Sequence, residues 1–305
     1  MLRAAREAAG VGLREVSRRT HYSATYLSDI ERGKRPVPAD VVAAYETALG
    51  ADMERLTAVS RSPSSVDTTA LDDVAVMLSA TRRIEDTTGP VVVLPAVRGV
   101  AEMTETFADQ ARIRAAGRAA SLASEVAQYQ GWLEHATGAG AAARRSFRKA
   151  VELAQESGDA DRLAHGLSFH AYADLERGDH VEAAALSEAV LSLPGVHPLL
   201  RVYEQFQRAR VHAAADEPQA AQHRLVLADS AAQSAEDEPR PDSGYWYTAG
   251  FFGLQRARVL RLLGQDDRAR DEVRSALAAL PDDHRSATWA TKWRQAADGT
   301  TDVPQ

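Results

Sequence analysis

The chain contains no cysteine. That excludes disulfides, thiolate zinc sites, iron–sulfur clusters and a cysteine nucleophile together, and leaves stability to packing. It also lacks any apolar run of about 18 residues, the length a membrane span requires. Its first twenty residues interleave five Arg with Ala and Glu where a secretory leader would carry a continuous apolar stretch. No membrane association and a cytoplasmic location are therefore expected. Catalytic signatures are missing too: there is no glycine-rich phosphate loop, no HExxH and no GxSxG elbow. The nine His are scattered, and His165 and His170, five apart, do not share a helix face as a metal-binding pair would. The expectation is a protein that is not an enzyme, with no catalytic residues, no metal site and no cofactor.

What is present is an ordinary soluble composition, 45% hydrophobic and 26% charged. At 305 residues the chain exceeds a usual single core, so a small domain followed by a longer array is the natural division. Charge supports it. The whole chain carries −7, yet residues 1–60 hold nine Lys or Arg against eight Asp or Glu, leaving 27 basic and 35 acidic residues beyond. A near-neutral N-terminal part is compatible with nucleic acid, and an acidic remainder discourages nonspecific wrapping of DNA.

Ala and Leu recur at helical spacing throughout, and only Val91 to Leu94, between Pro90 and Pro95, reads as β-rich. The fold class is all-α. The Ser-, Thr- and Pro-rich stretch from Ser60 to Thr69 has the composition of a connection, which predicts an N-terminal domain over 1–60, a linker over 61–69, a helical repeat domain over 70–298 and a short tail over 299–305. Helices are expected around 70–85, after the Pro90–Pro95 segment, and from about Ile113 to Ala136. Two-helix units follow, marked by small residues one helix face apart: Ala143 with Ala150, Ala183 with Ala189 or Val190, Ala220 with Leu227, and Ala269 with Ala276.

The first 50 residues carry the sharpest pattern. A helix from Leu2 to about Ala9 stops at Gly10, a second runs from Leu13 to Arg19, and Ser23 is suited to cap a third from Ala24 to Arg32, which Gly33 terminates. Pro38 opens a fourth helix that ends at Leu49 before Gly50, and a fifth is expected from Asp52 to Val59. The core is expected from Leu2, Ala5, Ala9, Val16, Leu27, Ile30, Val42, Tyr45 and Leu49.

This segment resembles the Xre/Cro repressor-type helix-turn-helix family over nearly all of its five-helix domain. The resemblance implies double-stranded DNA as partner, with the third helix in the major groove. Ala24, Thr25, Tyr26 and Asp29 would then read bases, Asp29 by accepting from a cytosine amine. Arg14, Ser23, Arg32, Lys34 and Arg35 would contact phosphates. Arg6 and Glu31 match the family's internal salt bridge between the first and third helices. An acidic residue at Asp29 and an apolar Leu13, where relatives often carry a phosphate-binding Gln, both depart from the family pattern. Leu2 is nearly the first residue where relatives carry several residues more, and the sequence leaves open whether the natural N-terminus is longer. They bind inverted repeats as symmetric dimers, which makes a homodimer the expected state.

The copy from Leu262 to Ala269, with Val273, Ala276 and Pro281, resembles the tetratricopeptide repeat, although the alanine spacings of 40, 37 and 49 residues exceed the family's 34 or so. The combined architecture is similar to peptide-sensing regulators of the Rgg, PlcR and NprR type and to actinobacterial regulators of unknown signal. It implies a groove for a peptide or small-molecule effector, drawn from Tyr129, Phe169, His170, Tyr203, Gln207, Tyr247, Phe251 and Arg256; aromatics of this kind also serve packing between repeats. The densest cluster is Tyr245, Trp246, Tyr247, Phe251 and Phe252, and Trp289 with Trp293, four apart, is expected to close the last helix. The alternative is a repeat domain that binds a partner protein, as in antitoxin or anti-activator systems.

Overall fold

A computed structural model describes residues 2, 3, 6, 11–49 and 63–304. Fifteen α-helices and no strand are found among the described residues. They form two compact units, 1–126 and 127–305. Within the 61–69 stretch, 63–65 is a short 3-10 turn, and Asp67 caps the following helix by accepting the Ala70 N–H at 2.9 Å.

In the first unit, α1 (Leu13–Arg19), α2 (Ala24–Glu31) and α3 (Ala39–Leu49) follow a helix described only at Leu2, Arg3 and Arg6. The expected core residues Ala5 and Ala9, and the expected fifth helix from Asp52 to Val59, lie outside the described residues. Leu2, Val16, Leu27, Ile30 and Tyr45 are buried as expected. On α3, however, the inward face is Val41, Tyr45 and Ala48, while Val42 is only partly buried. The spacing of four and three keeps these residues on one stripe through Tyr45.

Next come α4 (Thr68–Thr88) and α5 (Pro90–Gln110), joined at Gly89 with φ +81°, and α6 (Ile113–Ala136). The Val91–Leu94 segment that reads as β-rich is the first turn of α5, which starts at Pro90 and not after Pro95. Pro90 occupies the first helical position, where its missing N–H breaks no bond. The buried Val93, Val97, Ala101 and Thr104 have the helical period.

In the second unit, the end of α6 and α7 (Gly140–Ser157), α8 (Ala160–Glu176) and α9 (His180–Ser192), α10 (Pro198–Ala214) and α11 (Pro218–Ser234), and α12 (Ala249–Leu262) and α13 (Asp266–Ala279) form successive two-helix units. The turn inside each unit is built alike. Gly138, Gly178, Asp216 and Gly264 have φ of +82°, +89°, +60° and +71°, and the N–H that follows each reaches back to the carbonyl of Glu134, Asp174, His212 and Leu260 at 2.7–2.9 Å. This is the six-to-one bond of a left-handed helix exit, which glycine adopts without steric cost.

Five and twelve residues beyond these turns stand Ala143 and Ala150, Ala183 and Val190, Ala221 and Ala228, and Ala269 and Ala276, all buried. The third copy thus corrects the expected register: Ala220 is half-buried and Leu227 is 36% exposed. In the last unit a Cβ on Gly250 would sit 2.7 Å from both the Ala276 carbonyl oxygen and the Leu280 nitrogen, so only glycine permits this crossing of α12 and α13. The chain closes with α14 (Asp282–Ser286) and α15 (Thr291–Ala297). Trp289 and Trp293 do not share a helix: Trp289 lies in a 3-10 turn and Trp293 on α15, and both pack on the array core.

Candidate nucleic-acid interface

The second helix of the motif, α2, is fixed at both ends by its own sequence. At its start the Ser23 Oγ accepts the Tyr26 N–H at 3.2 Å; at its end Gly33, with φ +70°, lets the Lys34 N–H return to the Asp29 carbonyl at 2.8 Å. Leu27 and Ile30 point inward. Ala24, Thr25, Tyr26 and Asp29 keep exposure on the other side.

The orientation of α2 is set by a buried polar knot. Arg6 donates to both oxygens of Glu31, Tyr45 Oη donates to the same carboxylate at 2.9 Å, and Arg6 Nη1 also reaches the Val11 carbonyl at 3.1 Å. Burial pushes the Glu31 carboxyl up, but the hydrogen bonds from Arg6 and Tyr45 outweigh it and hold the group below its ordinary range. Burial and the Glu31 bond push the Tyr45 phenol well up. Arg19 Nη1, bonded to the Ala48 carbonyl at 3.1 Å, ties α1 to the end of α3.

On the exposed side the structure brings Tyr26, Asp29, Arg32 and Arg35 into one patch. Asp29 lies 3.5 Å from Arg32 Nη2 and 3.8 Å from Arg35 Nε, and the Arg35 guanidinium stands 5.5 Å from the centre of the Tyr26 ring. The carboxylate that would repel phosphate is therefore paired with two arginines that would attract it. Tyr22, just before the cap residue Ser23, joins the patch: its ring stacks on Tyr26 at 5.6 Å and its hydroxyl donates to Asp40 at 2.7 Å. The four-residue step from Tyr22 to Tyr26 was the available signal. Arg14, at the start of α1, and Lys34 are exposed, and Leu13 packs against the core.

In the array the eight expected groove residues do not form one open surface. Tyr203, Phe251 and Tyr247 form a ring cluster with centroids 5.7–6.0 Å apart, in which Tyr203 and Tyr247 are buried. Gln207 is buried beside them, donating to the Ser168 carbonyl at 2.8 Å. Tyr129 is buried as well, and Phe169 packs edge-on against Trp246. His170 sits elsewhere, against Phe147 and beside Asp174. Arg256 is committed to Asp229 and Glu272 and to the Phe206 ring.

The positions six residues before the four turns make a ladder that sequence reasoning missed: Trp132, Tyr172, Arg210 and Arg258. Arg210 stands 5.1 Å and Arg258 5.7 Å from the Tyr172 ring centre, and Trp132 meets the same ring at 6.1 Å. Arg258, two units along from Tyr172, reaches the same ring, so the first helices converge on this face.

No helix among the described residues is long and apolar enough to cross a membrane. Residues 1–59 match the family described as a helix-turn-helix domain. No curated protein and no solved structure matches the chain. The chain carries an N-terminal helix-turn-helix domain followed by a helical array.

Proposed function

We propose that the chain is a sequence-specific transcriptional regulator that binds inverted-repeat DNA as a homodimer through α2, with its activity modulated by a peptide or small-molecule effector on the array. The observation that carries the reading is the match of residues 1–59 to a helix-turn-helix domain, together with the patch on α2. Thr25 and Tyr26 occupy the part of the helix that enters the major groove in such domains. Arg32 and Arg35 stand beside them, where they would meet phosphates, with Arg14, Lys34 and the Ser23 hydroxyl completing the backbone contacts. A single domain of this size makes few contacts, and two copies on half-sites about one helical turn apart supply the rest.

The tetratricopeptide-like reading of the array rests on its four alike turns. Such a stack presents a continuous surface lined by its first helices, and the half-buried Trp132, Tyr172 and Arg258 of the ladder offer aromatic and cationic groups for an effector there, Arg210 being buried against Glu176. Selection of genomic fragments by the purified protein, followed by footprinting at near-physiological salt, tests the reading. Protection of two symmetric half-sites is the expected result; fragments recovered without sequence in common would overturn it.

A further inference from the structure

In the first unit α5 buries Val93, Leu94, Val97, Ala101, Thr104 and Phe107. A surface helix normally turns polar residues to the opposite side. Here Val91 and Val92 are 71% and 62% exposed, Pro95, Ala96 and Gly99 stand exposed beyond them, and Met103 and Thr106 are half-buried further along. Val92, Pro95, Ala96, Gly99, Met103 and Thr106 keep the three-and-four spacing of one helix face, about four turns long and without a charge.

Glycine inside a helix is less stable than alanine. At Gly99 a Cβ would meet nothing within 4 Å in the chain itself, so the fold of one copy does not call for glycine there. Close approach of a second backbone would use it. Gly117 on α6 is as open, but it lies between the exposed Arg114 and Arg118 and on no apolar face.

The charges select the occupant. Residues 90–99 of α5 carry one base, Arg98, and no acid; residues 100–110 carry Glu102, Glu105 and Asp109 and no base. Two copies of α5 laid parallel would set acid against acid. Laid antiparallel about Gly99, positions equally far before and after it face each other, so Ala96 of one copy meets Glu102 of the other. Arg98 then stands within about half a helical turn of that same Glu102. Gly89 meets Asp109. Gly89 is the N-cap of α5 and makes no side-chain capping bond, so a carboxylate arriving there meets free N–H groups and the positive end of the helix dipole.

We propose that this face of α5 is the contact between two copies of the chain, crossing antiparallel at Gly99 on a two-fold axis. A self-complementary face of this kind closes a symmetric dimer. The proposal rests on the homodimer reading above and names the surface that makes it.

A four-turn helix pair buries on the order of 1,000 Å², the low end for a specific interface, so sedimentation velocity of the full chain should show a dimer that dissociates in the micromolar range. Ala96→Glu puts a carboxylate opposite Glu102 and should weaken dimerisation at least about tenfold, whereas Ala96→Lys puts a cation there and should leave it as strong or stronger. The chain has no cysteine, so Gly99→Cys adds a single thiol on the axis. Facing Cα atoms of helices packed about 8–10 Å apart come within roughly 4–6 Å, the range of a disulfide. Oxidation should link Gly99→Cys into dimers and leave Val76→Cys, exposed on α4, unlinked. Melting curves report whether each variant is folded. A dimer indifferent to Ala96→Glu, equal effects of the two Ala96 variants, or a Gly99→Cys protein that stays unlinked would each overturn this interface. Footprints over two half-sites would then still uphold the homodimer reading, whereas a parent that is monomeric both free and on DNA would overturn the two together.

Discussion

Arg6 grips both carboxylate oxygens of Glu31, through Nε at 2.6 Å and Nη2 at 2.8 Å. The pair joins the start of the chain to the last turn of α2, with the Glu31 side chain 3% and the Arg6 side chain 11% exposed. It therefore sets the angle at which α2 presents its outer face.

Glu31→Gln leaves the Arg6 guanidinium without its counter-charge in a nearly dry site, so a loss of about 2–3 kcal/mol is expected for the N-terminal domain. Denaturant melts followed by far-UV dichroism measure it. The folded carboxyl titrates below its unfolded value. Its stabilisation is thus complete above the unfolded pKa of about 4.3 and is lost as pH falls through the lower folded value. Glu31→Gln should abolish that acid limb.

Thr25 and Arg35 should separate by what they change. Arg35→Ala is expected to weaken binding to every DNA sequence and to reduce the salt slope by about 0.9, one phosphate contact's worth. Thr25→Ala should alter preference at one base position by about 1 kcal/mol with an unchanged slope. Asp29→Asn frees Arg32 and Arg35 from their carboxylate and should tighten binding to all sequences. Gel-shift titrations over a salt series on matched and mutated operators decide it; equal effects of Thr25→Ala and Arg35→Ala on all sequences would defeat the assigned roles.

Glu204 is fully buried in the array, accepting from Ser168 Oγ at 2.5 Å and from Gln207 Nε2 at 3.3 Å. Burial pushes its carboxyl up to about 7. A folded pKa above the unfolded one favours the protonated folded state, so this contribution is full below the unfolded pKa and is lost as pH rises through about 7. Thermal melts between mildly acidic and mildly alkaline pH should show that decline, on the order of 3 kcal/mol. Glu204→Gln, neutral at every pH, should flatten it and raise stability on the alkaline side.

Asp216 is the one non-glycine residue at positive φ among the described residues, in the turn where three other units carry glycine. Asp216→Gly should stabilise the array by roughly 0.5–1 kcal/mol through relief of that backbone strain. An unchanged or lowered melting temperature would count against the equivalence of the four turns.

The helix-turn-helix segment and the all-α class were legible in the sequence because their signals are local. Ser23 caps α2 through a bond three residues away, Gly33 ends it, and Leu27 with Ile30 marks its inward face. The same locality made α1 and α6 readable to the residue. Tertiary packing decided the rest. Ala220 and Ala221 differ by about 100° around a helix, and neighbouring alanines do not say which one meets the next helix. Pro95 looked like a boundary until α5 placed it on a solvent-facing turn. The ladder on Tyr172 unites positions more than 120 residues apart. It exists only because stacked helices bring together side chains whose distance along the chain carries no trace of their distance in space.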